Sequence, residues 1–269
     1  MNKISFLFLA LVLAVAVVGC GKKENIEKSD GGSESSGPVL TLDPATVGSI
    51  RGTVVLDGVA PAPIAIDMSA EPNCLKAHPA PVYLPEVVTG ERGALANVVV
   101  FVKSGLGNYK YDLPKDPVVL NQQGCMYEPH VVALRVGQTL EITNSDPTPH
   151  NVHPMPKENG EWNISQPAGA PPLEKTFSRA ELAIPLVCNV HPWMKSYIFV
   201  FENPYFAVTT NTGTFELENL PSGTYSVAAW QEKYGTLEQA VTIGPKESKA
   251  ISFTFKTGLG AATQAKSRQ

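Results

Sequence analysis

The chain has 269 residues, of which 43% are hydrophobic and 17% are charged, and this length is enough for about two domains with separate apolar cores. Its 21 basic and 25 acidic residues give a net charge of -4. Because the basic residues are scattered and form neither a run nor a stripe, we expect no nucleic-acid partner.

The first residues predict an exported, lipid-anchored chain. After Lys3 an uncharged apolar run extends to Val18, and about 15 such residues are typical of a signal peptide but too few to span a membrane. Segment 16–20 resembles the lipobox of bacterial lipoproteins, which implies that residues 1–19 are a signal peptide and that Cys20 is lipidated. An ordinary signal peptide with an incidental cysteine is the alternative. The expected location is the periplasm or cell envelope, and lysines after the lipobox favour the outer membrane of a Gram-negative host.

The remaining sequence predicts an all-β chain. Residues 20–47 are polar and small, as in a flexible linker, and residues 257–269 are expected to be a disordered tail. No long helical periodicity is present, although a short helix is predicted near 178–182. With 23 prolines and 22 glycines for turns, the β-branched runs predict two sandwiches. The predicted strands are Ile50–Leu56, Val98–Lys103, Val131–Val136, Thr139–Thr143, Tyr197–Phe201, Thr214–Leu217, Tyr225–Trp230 and Ile251–Phe255.

Two distant segments resemble one family of small sandwiches. Residues 213–227 resemble the carboxypeptidase regulatory-like family, and the Gly-Ser-Ile-Arg-Gly-Thr-Val sequence at 48–54 is similar to the first strand of that family. The resemblance implies that residues 48–113 and 203–256 form one prealbumin-like or Ig-like β-sandwich, with residues 114–202 inserted as a second domain. Insertion is physically easy at a surface loop where chain ends are close. Three consecutive units are the alternative layout.

Two short stretches carry four residues with metal-ligating side chains. His150 follows the predicted strand Thr139–Thr143, whereas Cys188, His191 and Met194 lie within one short loop before the next predicted strand. A thiolate, two imidazoles and a thioether suit copper in both of its oxidation states. His153 lies three residues after His150 and points to the opposite face of an extended chain, so it is interpreted as a non-ligand.

These stretches resemble type 1 blue copper proteins, the cupredoxins, and are most similar to amicyanin, pseudoazurin and plastocyanin. The resemblance covers about residues 116–202 and implies a Greek-key β-sandwich with one mononuclear copper ion bound by His150, Cys188, His191 and Met194. It also implies that the Asn151 amide hydrogen-bonds the cysteine sulfur, and that the ring edge of the second histidine reaches the surface. A tryptophan after the His-Pro pair, and no aromatic residue before the cysteine, depart from the family pattern.

Two further cysteines need a role in an exported protein. If lipid takes Cys20 and copper takes Cys188, then Cys74 and Cys125 are the remaining pair. A disulfide between them would close a loop of about 50 residues and stabilise the fold by roughly 4 kcal/mol on the chain-entropy model.

The expected function is electron transfer. Four protein ligands leave no open position on the metal, and an enzyme needs one, so we do not expect an enzyme. The expected partner is a c-type cytochrome or another envelope electron carrier. A copper-binding or copper-delivery lipoprotein without such a partner is the first alternative, and a carbohydrate or cell-wall binding module using Trp230 and Tyr234 is the second.

Overall fold

A computed structural model describes residues 41–258 of the chain. The predicted signal peptide, the lipidation of Cys20, most of the linker and most of the predicted tail lie outside these residues. No helix in the described range is long and apolar enough to cross a membrane. Strands dominate the described range, so the prediction of an all-β chain is confirmed.

Each of the eight predicted strands overlaps an observed one, with ends that differ by up to four residues. The other eight strands of the described range were not predicted. The predicted helix near 178–182 is wrong, because residues 178–180 are not helical and β10 begins at Glu181. The strands are β1 (Val47–Asp57), β2 (Val99–Ser104), β3 (Val118–Gln123), β4 (Met126–Glu128), β5 (Val131–Arg135), β6 (Leu140–Asn144), β7 (His150–Pro154), β8 (Ile164–Gln166), β9 (Leu173–Lys175), β10 (Glu181–Val187), β11 (Lys195–Phe201), β12 (Phe206–Val208), β13 (Thr214–Pro221), β14 (Gly223–Gln231), β15 (Gly235–Ile243) and β16 (Ser248–Lys256).

The first sandwich is built from both ends of the described chain. One sheet has the order β13-β1-β16 and the other has the order β12-β2-β14-β15, and they enclose an apolar core that includes Phe253 and Phe255. Strand β1 pairs in parallel with β16. A Cβ at Gly52 would lie 1.9 Å from the carbonyl oxygen of Ile251, so glycine lets the two strands approach.

The second sandwich contains the intervening strands. Its sheets have the orders β5-β11-β10-β7-β8 and β4-β3-β6-β9, and fully buried Leu120, Ile142 and Leu186 pack between them. Strand β10 contains Pro185, whose carbonyl accepts from the Met155 amide beyond the end of the β7 ladder. Because proline has no N–H to return this bond, the β7–β10 ladder ends here.

An apolar seam joins the two sandwiches. Phe101 of β2 packs against Phe201 of β11 with ring centroids 5.2 Å apart, and Trp230 of β14 lies 4.9 Å from Phe199. Trp230 therefore packs in the seam, and Tyr234 is only 4% exposed. The prediction that these two residues are exposed aromatics for carbohydrate binding is wrong.

The connection between β1 and β2 reaches the second sandwich, and we call residues 58–90 of it the arm. The arm contains helix α1 (Pro72–Ala77) and a short antiparallel pairing in which the Ile66 amide donates to the Val82 carbonyl. Cys74 of α1 is disulfide-bonded to Cys125, with their Cα atoms 5.5 Å apart. A segment between two strands of the first sandwich is thus fastened to the second.

Candidate metal site

The turns at one end of the second sandwich hold the four sequence-predicted ligands. His150 is the first residue of β7, and Cys188 directly follows β10. The turn from β10 to β11 is closed by two backbone hydrogen bonds, from the Cys188 amide to the Met194 carbonyl and from the Met194 amide to the His191 carbonyl. Three candidate ligands therefore lie on one tight turn, and the fourth lies on an adjacent strand of the same sheet.

Three candidate ligand atoms converge. Nδ1 of His150 lies 3.0 Å from Nδ1 of His191, and the Cys188 sulfur lies 3.8 Å from the latter atom. All three residues have a ligand atom within 4.8 Å of those of the other two. The side chains are buried, with both histidines fully inaccessible and Cys188 only 3% exposed. Met194 is fully buried in the same core cluster as the cysteine.

The Cys188 sulfur lies in an environment that favours the thiolate, the form that binds metals. The Asn151 amide donates a hydrogen bond to it at 3.3 Å, which is the contact that the resemblance implies. Burial raises the pKa of the Cys188 thiol, but hydrogen bonding from His150 and from nearby backbone amides outweighs burial and leaves that pKa below its ordinary value.

Tyr127 ties the two ligand-bearing segments together and was missed by the sequence analysis. Its buried hydroxyl faces the carbonyl oxygens of Asn151 and Val187, which adjoin His150 and Cys188 in the chain. Burial raises the pKa of Tyr127 well above its ordinary value, so the hydroxyl stays a donor. The hydroxyl thus bridges the strand that bears the first histidine and the end of the strand that leads to the cysteine turn.

Asp146 orients His150 and was also missed. Its Oδ2 lies 2.8 Å from Nε2 of His150, and its carboxylate accepts the amides of Gly124 and Cys125. Burial raises the pKa of Asp146, but these hydrogen bonds hold it below its ordinary value overall. A carboxylate on the outer nitrogen leaves Nδ1 directed at the site. The only signal for this role in the sequence is its place four residues before the histidine.

The outer edge of His191 is covered. The Cys74 sulfur lies 3.7 Å from its Nε2, a carboxylate oxygen of Glu71 lies 3.8 Å from the same nitrogen, and the ring is fully buried. The prediction that this ring edge reaches the surface is therefore wrong, because the arm lies over it. Burial and the neighbouring charge of His150 lower the pKa of His191, despite the opposing effect of Glu71.

The turn between the histidine and the methionine shapes a recess beside the site. Pro192 is exposed and Trp193 is half-buried, and both line a recess of about 410 Å³ together with arm residues. The Trp193 ring lies 5.3 Å from His191, and its Nε1 donates to the Cys125 carbonyl. Trp193 therefore links the buried imidazole to a concave surface.

The other histidines of the described range have separate partners. His153 contacts Glu161 and Asn189, His78 contacts the Gly124 carbonyl, and His130 contacts Glu232. None of these three side chains belongs to the converging group at the cysteine.

The donor set of the site fits copper. Two imidazoles, a thiolate and a thioether combine ligands that favour the reduced ion with ligands that tolerate both oxidation states. The nitrogens face inward and their outer sides are occupied by other side chains, so the ligands are oriented by the fold itself.

No known protein family matches the sequence, and no curated protein matches it. Among solved structures, the chain is similar to a copper-containing nitrite reductase from Thermus scotoductus SA-01, with 22% identity, a TM-score of 0.29 and coverage of 37% of this chain. It covers 26% of that chain, or about a quarter of its length. A purple cupredoxin from Nitrosopumilus maritimus matches with 20% identity and a TM-score of 0.27, covering 31% of this chain and 99% of that one. An amicyanin variant in its Cu(I) form matches with 23% identity and a TM-score of 0.29, covering 38% of this chain and 98% of that one.

Proposed function

We propose that the protein is an electron carrier of the cell envelope that holds one mononuclear type 1 copper ion. The ligands are His150, Cys188, His191 and Met194. The observation that carries this proposal is the convergence of two buried Nδ1 atoms on a buried cysteine sulfur, within 4.8 Å of one another. Bound copper would supply one-electron redox chemistry at this point.

The protein's own residues supply rigidity and exclusion of water. Asn151 donates to the sulfur at 3.3 Å, and Asp146 and Tyr127 hold the strand and turn that carry the ligands. Ligands held in this way need little rearrangement when the charge of the metal changes. Four protein ligands also leave no position for a substrate, which supports a carrier and not an enzyme.

The first experiment measures the visible spectrum of the copper-loaded protein. We expect an intense charge-transfer band, because a thiolate bonded to oxidised copper donates charge to it, and we expect Cys188→Ser to abolish that band. His153→Ala is the matched control, since it removes a nearby histidine outside the site and should leave the band unchanged. A wild-type complex with only weak ligand-field bands would contradict the type 1 assignment.

Partner contact is proposed at Pro192 and Trp193, because the arm covers the edge of His191. The expected partner is a c-type cytochrome or another envelope carrier. Trp193→Glu places a charge in the recess and should slow reduction by such a partner, because an unpaired charge at a contact surface disfavours docking. Copper should remain bound in this variant, since none of the four ligands is changed. Trp162→Glu is the control, since this half-buried tryptophan of the same sandwich is not among the residues that line the recess. Stopped-flow mixing measures both rates.

The copper-delivery alternative predicts the opposite kinetic pattern. A delivery protein must release its ion, whereas both histidines here are fully buried and the arm lies on one of them. We therefore expect copper transfer to a competing chelator to be slow compared with electron exchange. Rapid loss of copper, with no carrier reacting faster than a small-molecule reductant, would favour delivery.

A further inference from the structure

One residue, Cys125, connects to the outer sides of both imidazoles. Its amide donates at 2.7 Å to the same Asp146 oxygen that lies 2.8 Å from Nε2 of His150. Its sulfur is bonded to Cys74, whose own sulfur lies 3.7 Å from Nε2 of His191. Both cysteines are only 1% exposed. A single disulfide therefore borders the histidine pair on the side away from Cys188.

The carbonyl group of Cys125 makes a third connection to the site. It accepts a hydrogen bond from Nε1 of Trp193 at 3.0 Å, and that ring lies 5.3 Å from His191. Trp193 belongs to the turn that carries three of the candidate ligands. The amide, the carbonyl and the sulfur of Cys125 thus all contact or bond residues that adjoin the two histidines.

We propose that Asp146 and the Cys74–Cys125 disulfide are positioning residues that fix the direction of the two imidazole rings. A half-turn of a histidine ring about its Cβ–Cγ bond places Cδ2 where Nδ1 was and Cε1 where Nε2 was, and this torsion has broad, roughly two-fold minima. Something outside the ring must therefore select the orientation. The proposal rests on the proposed function only for the identity of the metal, because the ring contacts exist without it.

The two rings are held by different means. At His150 the carboxylate of Asp146 accepts from Nε2–H, which leaves the lone pair of Nδ1 directed inward. At His191 the Cys74 sulfur lies 3.7 Å from Nε2 and leaves no room for water there. A turned ring would place a carbon beside that sulfur and would lose the contact made by Nε2. The arm delivers that sulfur, so a segment of the first sandwich completes a site in the second.

Chemical accessibility in the copper-free protein tests the contact at His191. Cys74→Ser/Cys125→Ser should let diethylpyrocarbonate modify His191, whereas the wild-type residue is protected, and peptide mass mapping reads out the modification. His78→Ala is the matched control, because it removes another arm contact, to the Gly124 carbonyl at 2.7 Å, but keeps the disulfide. The proposal would be overturned if His191 were equally protected in the wild type and the double variant. It would also be overturned if His191 were modified in His78→Ala as readily as in the double variant.

The tautomer of His150 tests the contact at Asp146. At alkaline pH, nitrogen NMR of the copper-free protein should show the Nε2–H form in the wild type and a mixture in Asp146→Asn, because an amide donates as well as accepts. Asp146→Glu restores an acceptor and should recover most of the Nε2–H signal. The asparagine variant should also bind copper about 10- to 100-fold more weakly. An unchanged tautomer in a folded Asp146→Asn protein would overturn the proposal.

The two tests separate this inference from the proposed function. Exposure of His191 and a changed tautomer of His150, in a protein whose copper complex lacks the charge-transfer band, would support positioning and contradict the type 1 assignment. A strong band together with an unaltered tautomer and unaltered protection would support the copper site and contradict the positioning role.

Discussion

The two sandwiches bury different kinds of side chain. In the described range, the interior of the first is almost entirely apolar, and its buried polar side chains are Thr209 and Gln231. The second buries a series of polar groups, namely Gln122, Arg135, Gln138, Asn144, Asp146, His150, Gln166, His191 and Ser196. Burying a polar group costs free energy unless it is hydrogen-bonded. The many buried polar side chains of the second sandwich therefore distinguish it as the one that carries the candidate metal site.

Part of the polar interior of the second sandwich is a connected network. Gln166 accepts from Gln122 at 2.7 Å and donates to the Ile142 carbonyl. Asn144 donates to the Gln166 carbonyl and accepts from the Asp146 amide. The network thus extends from the centre of the sandwich to the carboxylate that holds the first histidine. Substitutions in the core of the first sandwich can lower its stability without altering this network, so the comparison between the two sandwiches can be tested.

The largest expected effect comes from the apolar core of the first sandwich. Phe253 is fully buried, so Phe253→Ala should lower the free energy of unfolding by about 3–5 kcal/mol, measured by denaturant titration. The folded fraction should keep the copper spectrum of the wild type. Val119→Ala is the control, since that side chain is 48% exposed and should change stability little. Loss of the spectrum in folded Phe253→Ala would show that the sandwiches are not separable.

A smaller effect with a different signature is expected in the polar network. Asn144→Ala removes the acceptor of the Asp146 amide and leaves buried carbonyls without a donor, which should destabilise by about 2 kcal/mol. Copper affinity should fall as well, because the turn that places the carboxylate beside His150 loses its support. The neighbouring exposed Ser145→Ala should alter neither quantity. An Asn144→Ala protein with normal copper affinity would remove the link between network and site.

The smallest effect lies at the surface of the second sandwich and depends on pH. Glu181 accepts the amides of Lys157, Glu158 and Asn159; burial raises its pKa, but these bonds keep it below its ordinary value. Its contribution is therefore present above the unfolded pKa and is lost as pH falls through the lowered folded value. Glu181→Gln should cost about 1 kcal/mol at neutral pH, because solvent screens this partly exposed group.

A pH series of unfolding measurements checks this last prediction. The difference between wild type and Glu181→Gln should shrink toward acid, below the ordinary glutamate pKa of 4.5. Glu174→Gln, at an exposed position in β9, is the control and should change the free energy of unfolding little at neutral pH. A difference that grows toward acid would mean that the carboxylate does not stabilise the loop.

Several features of this protein followed from the sequence because they depend on neighbouring residues. Alternating β-branched runs predicted strands such as those at 50–56 and 197–201, and the all-β class with them. The candidate ligands could also be recognised from the sequence, since three of them lie within seven residues. Their thiol, imidazole and thioether groups are properties of the residue types and do not depend on conformation. Short strands such as β8 and β9, of three residues each, carry too little periodicity to be recognised.

Only the tertiary structure decided what surrounds those ligands. The Cys74 sulfur and the His191 ring are separated by 117 residues in sequence, and no local pattern indicates that the arm folds back across the second sandwich to bury that ring. The role of Asp146 likewise depends on the turn at Cys125, 21 residues earlier in the chain. Side-chain chemistry is a local property of a sequence, whereas burial and ring orientation are set by contacts between distant segments, which form only when the sheets have packed.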